Sequence, residues 1–330
     1  MNKTQIKINS FLFSLLDSTL PIPKISDTYT EFDEETEDYL KSLITKISAD
    51  TRLRNGLVPH THKYFDLLVN QNEKFEQFAS KITNSIHFLM QNNNIISSGD
   101  GIFINASIDN VDYFYFFKLN YIKRFMHLLK DDSLKLIENK VLLPSSNQKC
   151  DECFYINLFD KEIFIVDKKY TIDGEPIDYL SNFILGLVLN KSEDELIKII
   201  NEVTTNTIEK HYTLTAKKII EYKNTLAETA EATGTINTED ININVFNDNK
   251  EAENEYKEAL YNNGIKAKEI TISKKLEKRL TRKQKILTST GIEILIPIEY
   301  LNQPDLFEYR QEEDGKMTIL IKDIDKIENK

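Results

Sequence analysis

Cysteine, glycine and long apolar runs are all scarce in this chain, and each scarcity removes a class of chemistry. Two cysteines in 330 residues cannot build a disulfide framework, and such sparse use fits a reducing compartment. Nine glycines, none arranged as a Walker loop or as G-x-G-x-x-G after a strand, leave nucleotide hydrolysis without visible machinery. No nucleophile triad is legible either. The apolar run Phe11 to Leu16, framed by Lys7 and Asp17, is too short for a signal peptide or membrane span, so the expected setting is the cytoplasm, away from membranes. What the chain does have is 40% apolar residues, enough for a core in each of two domains.

Positive charge is also in deficit, with a formal net charge of -11, yet it is concentrated. Between Lys274 and Lys285, seven basic residues and one acid occupy twelve positions. Lys266 to Lys285 carries +7, which leaves about -18 on the other residues. A polyanion responds to the local patch, because affinity for nucleic acid comes chiefly from Lys and Arg displacing counterions from phosphates. Ser273 is a good N-cap, and Leu276, Leu280, Lys283 and Leu287 recur at three- and four-residue steps, so a helix is expected from about Lys274. Two lysines in its first turn oppose the helix dipole at about 0.3–1 kcal/mol each when exposed; a phosphate docked there would reverse the sign. Lys274, Lys275, Lys278, Arg279, Arg282, Lys283 and Lys285 are the candidate phosphate contacts. The competing reading is a solvated basic helix face.

Around this segment the pattern is α+β. Ile6 to Leu16 and Pro21 to Tyr29 read as extended, and Glu34 to Ser48 as an acidic capped helix. A second helix over Asn72 to Met90 has Phe75, Phe78, Ile82, Ile86 and Met90 on its buried face. Gly101 to Ile108 and Val111 to Leu119 form a hairpin around Asp109-Asn110, and Cys153 to Phe159 with Glu162 to Lys168 a second around Asp160-Lys161. These four strands are expected in one antiparallel sheet covered by helices. The run Tyr113 to Phe117 suits a strand buried on both faces, with a contact surface as the other reading. Pro176 introduces an apolar helix over Tyr179 to Leu189. Beyond it come helices over Ser192 to Glu209, Thr215 to Ala232 and Asn249 to Tyr261, a short element over Thr238 to Phe246, and strands at Gly291 to Pro297, Leu306 to Arg310 and Lys316 to Lys322. The expected division is 1–190, an N-terminal α+β domain, and 191–330, a helical region ending in a small antiparallel sheet and carrying the basic segment. No internal repeat or low-complexity linker interrupts it.

Catalytic and metal signals are weak. Cys150-Asp-Glu-Cys153 is a C-x2-C that would need a second pair, such as His60-Thr-His62, to hold zinc; two reduced cysteines are the simpler reading. His87 lies near an apolar helix face, and His127 and His211 are isolated. Pro304-Asp305 followed by Asp314-Gly315-Lys316 formally satisfies a loose metal-dependent nuclease pattern, but Asp314-Gly315 suits a hairpin turn better. The expectation is a non-enzyme with no cofactor and no metal.

The order of elements resembles that of the bacterial 37-kDa nucleoid-associated protein family, the YejK-like proteins. The likeness is clearest from Glu269 to Leu276, through Lys283 and Lys285 into Gly291 to Ile296, then Phe307-Glu-Tyr309 and Asp314 to Lys322. Upstream, Ser98-Gly-Asp-Gly-Ile-Phe103 and Phe183-Ile-Leu-Gly186 occupy corresponding places, and residues 1–70 correspond least. The resemblance implies sequence-tolerant binding of double-stranded DNA, with single-stranded nucleic acid as a second candidate, in the nucleoid. A homo-oligomer, by base rate a dimer, is expected. The alternatives are an interaction subunit of a phage-defence or genome-maintenance assembly and, below it, a metal-dependent nuclease.

Overall fold

The computed structural model describes residues 3–57, 59, 75–130, 133–172, 174–213, 215–288, 290–301, 303, 305–311 and 317–326. The chain divides into two compact units, Met1–Ser192 and Glu193–Lys330.

The first unit starts with β1 (Ile6–Leu16) and the short β2 (Lys24–Ile25), then α1 (Glu34–Ile47). Asp33 caps α1 by accepting a hydrogen bond from the Thr36 amide at 2.7 Å, and three acids follow in the first turn, where they favour the dipole. After β3 (Arg54–Leu57) and α2 (Phe75–Asn92) come β4 (Gly99–Ile108) and β5 (Val111–Asn120). Their turn residues Asp109 and Asn110 have φ of 50° and 65°, the left-handed pair that a two-residue hairpin requires. A ribbon of β6 (Ile122–Lys130) and β7 (Ser133–Leu142) follows, then β8 (Cys153–Asn157) and β9 (Glu162–Val166), with a hairpin of β10 (Lys169–Ile172) and β11 (Glu175–Asp178), and finally β12 (Val188–Leu189).

Eight of these strands form one sheet in the order β12-β3-β9-β8-β5-β4-β1-β2, with every pairing antiparallel. Helices cover both faces. On one face Phe78, Ile82, Ile86 and Met90 of α2 pack with Phe103, Phe114, Phe116 and Phe154, and the Phe78 and Phe114 rings meet edge to face at 4.7 Å. On the other, Leu40, Leu43, Ile44 and Ile47 of α1 pack with Ile104, Tyr115, Phe117 and Leu119. Burial on both faces explains the unbroken aromatic run of β5, which is core and not a contact surface. Ser98-Gly-Asp-Gly101 is also structural: a Cβ on Gly99 would lie 2.2 Å from the Leu119 carbonyl oxygen, so two backbones close up there as only glycine permits.

One charged pair lies inside this unit. Lys118 and Glu152, with fully buried side chains, sit 3.1 Å apart. Lys118 Nζ also donates to the Ser97 carbonyl at 2.8 Å, and Tyr179 donates its hydroxyl proton to Glu152 at 2.8 Å. Burial pulls the Lys118 pKa down and Glu152 opposes that. Two expectations fail nearby. Tyr179 to Leu189 is not an α-helix; only Leu180–Leu185 is helical, as a single π-type segment closed by Gly186 at φ 57°. Pro176 lies in β11, opposite Thr171, and not at a helix start. Tyr179, Leu180, Ile184 and Leu185 are buried while Phe183 and Val188 are exposed, and hydrophobicity alone does not distinguish helix from irregular core backbone.

The second unit opens with α3 (Glu193–His211) and α4 (Thr215–Thr233), then β13 (Thr235–Asn237), α5 (Thr238–Phe246) and α6 (Lys250–Asn262). Asn237 caps α5 and Asn249 caps α6 through their side-chain oxygens. β14 (Glu269–Thr271) pairs with β13, and α7 (Lys274–Arg282) follows. Ile200, Tyr222, Ile241, Phe246 and Tyr256 centre a helical core that takes in Leu276. Then β15 (Lys283–Leu287) pairs with β16 (Glu293–Pro297), and after the one-turn α8 (Ile298–Leu301) β17 (Phe307–Gln311) pairs with β18 (Met317–Ile321). Ile296 and Phe307 make the small core of this end. The whole is α+β: a large antiparallel sheet with covering helices, then a helical region ending in small antiparallel sheets.

Candidate nucleic-acid interface

The basic segment splits in two. Ser273 caps α7, its hydroxyl accepting from the Leu276 amide at 3.3 Å, but the helix stops at Arg282, and Lys283 is extended at φ -148° and ψ 139°. Lys283 and Lys285 therefore lie on β15, opposite Pro297 and Leu295, and Leu287 does not continue the helical stripe of Leu276 and Leu280. Pairing with β16 overrides the helix propensity of Lys-Gln-Lys, because it brings Ile286 against the small core of Ile296 and Phe307.

Within α7 each residue turns about 100°. Leu276 is fully buried and Leu280 packs against the same core, which directs Lys278 to the opposite side, with Arg282, four residues on, beside it. Both are exposed, as are Lys274, Lys275, Arg279 and Lys283. The side chain of Lys285 lies outside the described part.

One distant acid and one local acid neutralise two of the other cations. The Ser273 amide and hydroxyl donate to Glu193 at 2.5 and 2.7 Å, which places a carboxylate of the same chain at this helix N-terminus, where negative charge favours the dipole. Arg279 pairs with Asp194 at 2.6 Å, and Lys274 with Glu277 at 2.7 Å. Among the described residues, Lys278, Arg282 and Lys283 have no carboxylate partner. The sequence shows Glu193 and Asp194 as the acidic start of a helix. Their contact with α7, some 80 residues later, is a tertiary fact that no local pattern carries.

The catalytic and metal readings acquire structural explanations. In Cys150-Asp-Glu-Cys153 both acids are committed: Glu152 to Lys118, and Asp151 to Arg52 at 2.6 Å, which also holds the Cys150 carbonyl at 2.9 Å. Cys153 is buried, and burial pushes its thiol well above the ordinary range, away from the thiolate that metal binding or nucleophilic attack needs. His87 is buried, with Nε2 3.1 Å from the Asp17 carbonyl, while His211 is not isolated but pairs with Glu255 at 2.7 Å. His60, His62, Pro304, Asp314 and Lys316 lie outside the described residues, and no cluster of three metal-ligating side chains occurs among the described ones.

The structure thus supplies a two-unit α+β chain with exposed cations on α7 and at the start of β15, on an acidic background. Comparison with known families gives the class directly: the sequence profile described as Nucleoid-associated protein YejK matches residues 22–328, and the chain belongs to that family. The match reaches back to residue 22, into the first 70 residues where the resemblance is weakest. No curated protein matches the chain. No helix among the described residues is long and apolar enough to cross a membrane.

Proposed function

We propose that this chain binds double-stranded DNA with little sequence preference, through phosphate contacts, as a non-enzymatic component of the cytoplasmic nucleoid. The observation that carries this reading is the stripe of Lys278, Arg282 and Lys283. These three exposed cations at the α7 to β15 junction have no carboxylate partner among the described residues, in a chain whose other charges sum to a strong negative. Lys275 borders them; Lys274 and Arg279 contribute less, because Glu277 and Asp194 already neutralise them. Side chains of this length reach the DNA backbone without reading bases, and Arg282 can grip a phosphate with two N–H groups. No recognition-helix or zinc-finger signature is legible in the sequence, which supports backbone binding over base readout.

The test is a titration of the purified protein with duplex DNA, single-stranded DNA and RNA of mixed sequence at two salt concentrations. Duplex binding that is insensitive to sequence and weakens steeply with salt is the expected result. No binding to any probe at about 50 mM salt rejects the reading in favour of an interaction subunit. Cleavage of plasmid in Mg2+ rejects the non-enzyme part.

A further inference from the structure

The ribbon of β6 and β7 stands apart from the large sheet and pairs only within itself. At about 3.4 Å per residue its nine-residue strand extends about 30 Å, and an isolated two-stranded ribbon is marginal in water without a surface to lie on. Its root is held by α1: Tyr39 donates to the Pro144 carbonyl at 3.0 Å, and Lys46 to Asn147 at 3.3 Å.

Cross-strand register sorts its side chains. Phe125 faces Glu138, His127 faces Leu136, and Leu129 faces Leu134, while Arg124 pairs with Asn139, Met126 with Ile137 and Leu128 with Lys135 on the other side. The first face therefore gathers Phe125, Leu129, Leu134 and Leu136, which are 69%, 67%, 71% and 74% exposed, together with His127 and, at the Phe125 end, Glu138. Covering the four would remove roughly 500 Å² from water, at the upper end of what a monomer normally leaves exposed.

We propose that this face docks on the same face of a second copy of the chain. A two-fold axis running across the strands at the His127 and Leu136 pair would lay Leu129 of one ribbon on Phe125 of the other and Leu134 beside Glu138, whose carboxylate reaches Lys140 at 3.5 Å, and the surface is then its own complement, as a symmetric dimer requires. Two such faces bury about 1,000 Å², the lower bound for a specific interface. Nucleic acid is the weaker occupant: Arg124 and Lys135 project from the opposite face, and the two residues between the strands in sequence are both acids, Asp131 and Asp132.

Sedimentation of the full chain without nucleic acid tests this independently of the DNA reading. The parent should dimerise in the micromolar range, and Leu134→Lys/Leu136→Lys should raise the dissociation constant at least tenfold, about 1.4 kcal/mol, with circular dichroism unchanged. Leu136→Cys should cross-link into dimers on mild oxidation, while Lys135→Cys, on the other face, should not; this comparison holds even if the double variant misfolds. A parent that stays monomeric, a folded double variant of unchanged mass, or equal cross-linking at both positions overturns the proposal. So does loss of duplex affinity without a change in mass, which would assign the ribbon to DNA.

Discussion

The salt dependence of DNA binding separates the free cations from the neutralised ones. Each phosphate contact contributes about -0.9 to the slope of log K against log salt. Seven independent basic residues would give a slope of about -6, and three give about -2.7. Lys278, Arg282 and Lys283 have no carboxylate partner among the described residues, so their simultaneous replacement by Gln should flatten the slope by about 2.7 and cost about 500-fold in affinity at 0.1 M salt. Stability should move by less than about 0.5 kcal/mol, because these exposed positions avoid Leu276 and Leu280. Lys274→Gln/Arg279→Gln is the matched control. It leaves Glu277 and Asp194 uncompensated, so affinity should fall while the slope changes by less than about one. Fluorescence anisotropy with one labelled duplex over a salt series measures both quantities. An unchanged slope in the triple variant, or an equal drop in the control, would refute the argument that partnering decides which cations bind.

Removing the charge inside the first unit should be far more costly than removing it from the stripe. Lys118→Met leaves Glu152 buried and unpaired, and should destabilise by about 3–5 kcal/mol in denaturant unfolding, whereas Lys118→Met/Glu152→Leu should recover most of that loss. Asp167 provides a pH test. Its carboxylate accepts from the Ser181 amide and hydroxyl at 2.7 and 2.9 Å, yet burial pushes its pKa up to about 6. Because the folded value exceeds the unfolded one, its favourable contribution is fully present below about pH 4 and is lost as pH rises through about 6. Asp167→Asn should therefore be more stable than the parent at pH 7 by about 1–3 kcal/mol, with the advantage shrinking as pH falls from 6 to 4. A constant difference across that window would mean that Asp167 does not titrate there.

Much of the architecture was legible where local chemistry dictates conformation. Asp109-Asn110 marks its hairpin because short polar side chains tolerate the left-handed region, and Asp33, Asn249 and Ser273 mark helix starts by satisfying otherwise unpaired amides. The misses share another cause. Lys283 to Leu287 becomes a strand because a partner strand exists, and Leu180–Leu185 takes a π-type turn inside a core that many sequences could line. The ribbon of β6 and β7 mixes charge and apolar residues in a run that no simple alternation announces. Of the candidate interface, the cations and their cap were visible. The carboxylate that neutralises Arg279 was not, since Asp194, like Glu193 at the Ser273 cap, meets α7 only in the folded chain.

The buried Lys118 and Glu152 pair also restricts how the central strands can align. Phe114 to Phe117 is apolar on both faces, so sliding β5 along β8 by one residue, or by two, would still bury aromatic rings. Apolar patterning thus distinguishes poorly among several alignments. Only one of them sets the ammonium of Lys118 against its carboxylate; every slipped arrangement strands two charges in the interior, at several kcal/mol each. The same interaction that adds little to net stability excludes near-degenerate misfolded sheets, and the apolar double variant, though stable, should populate them.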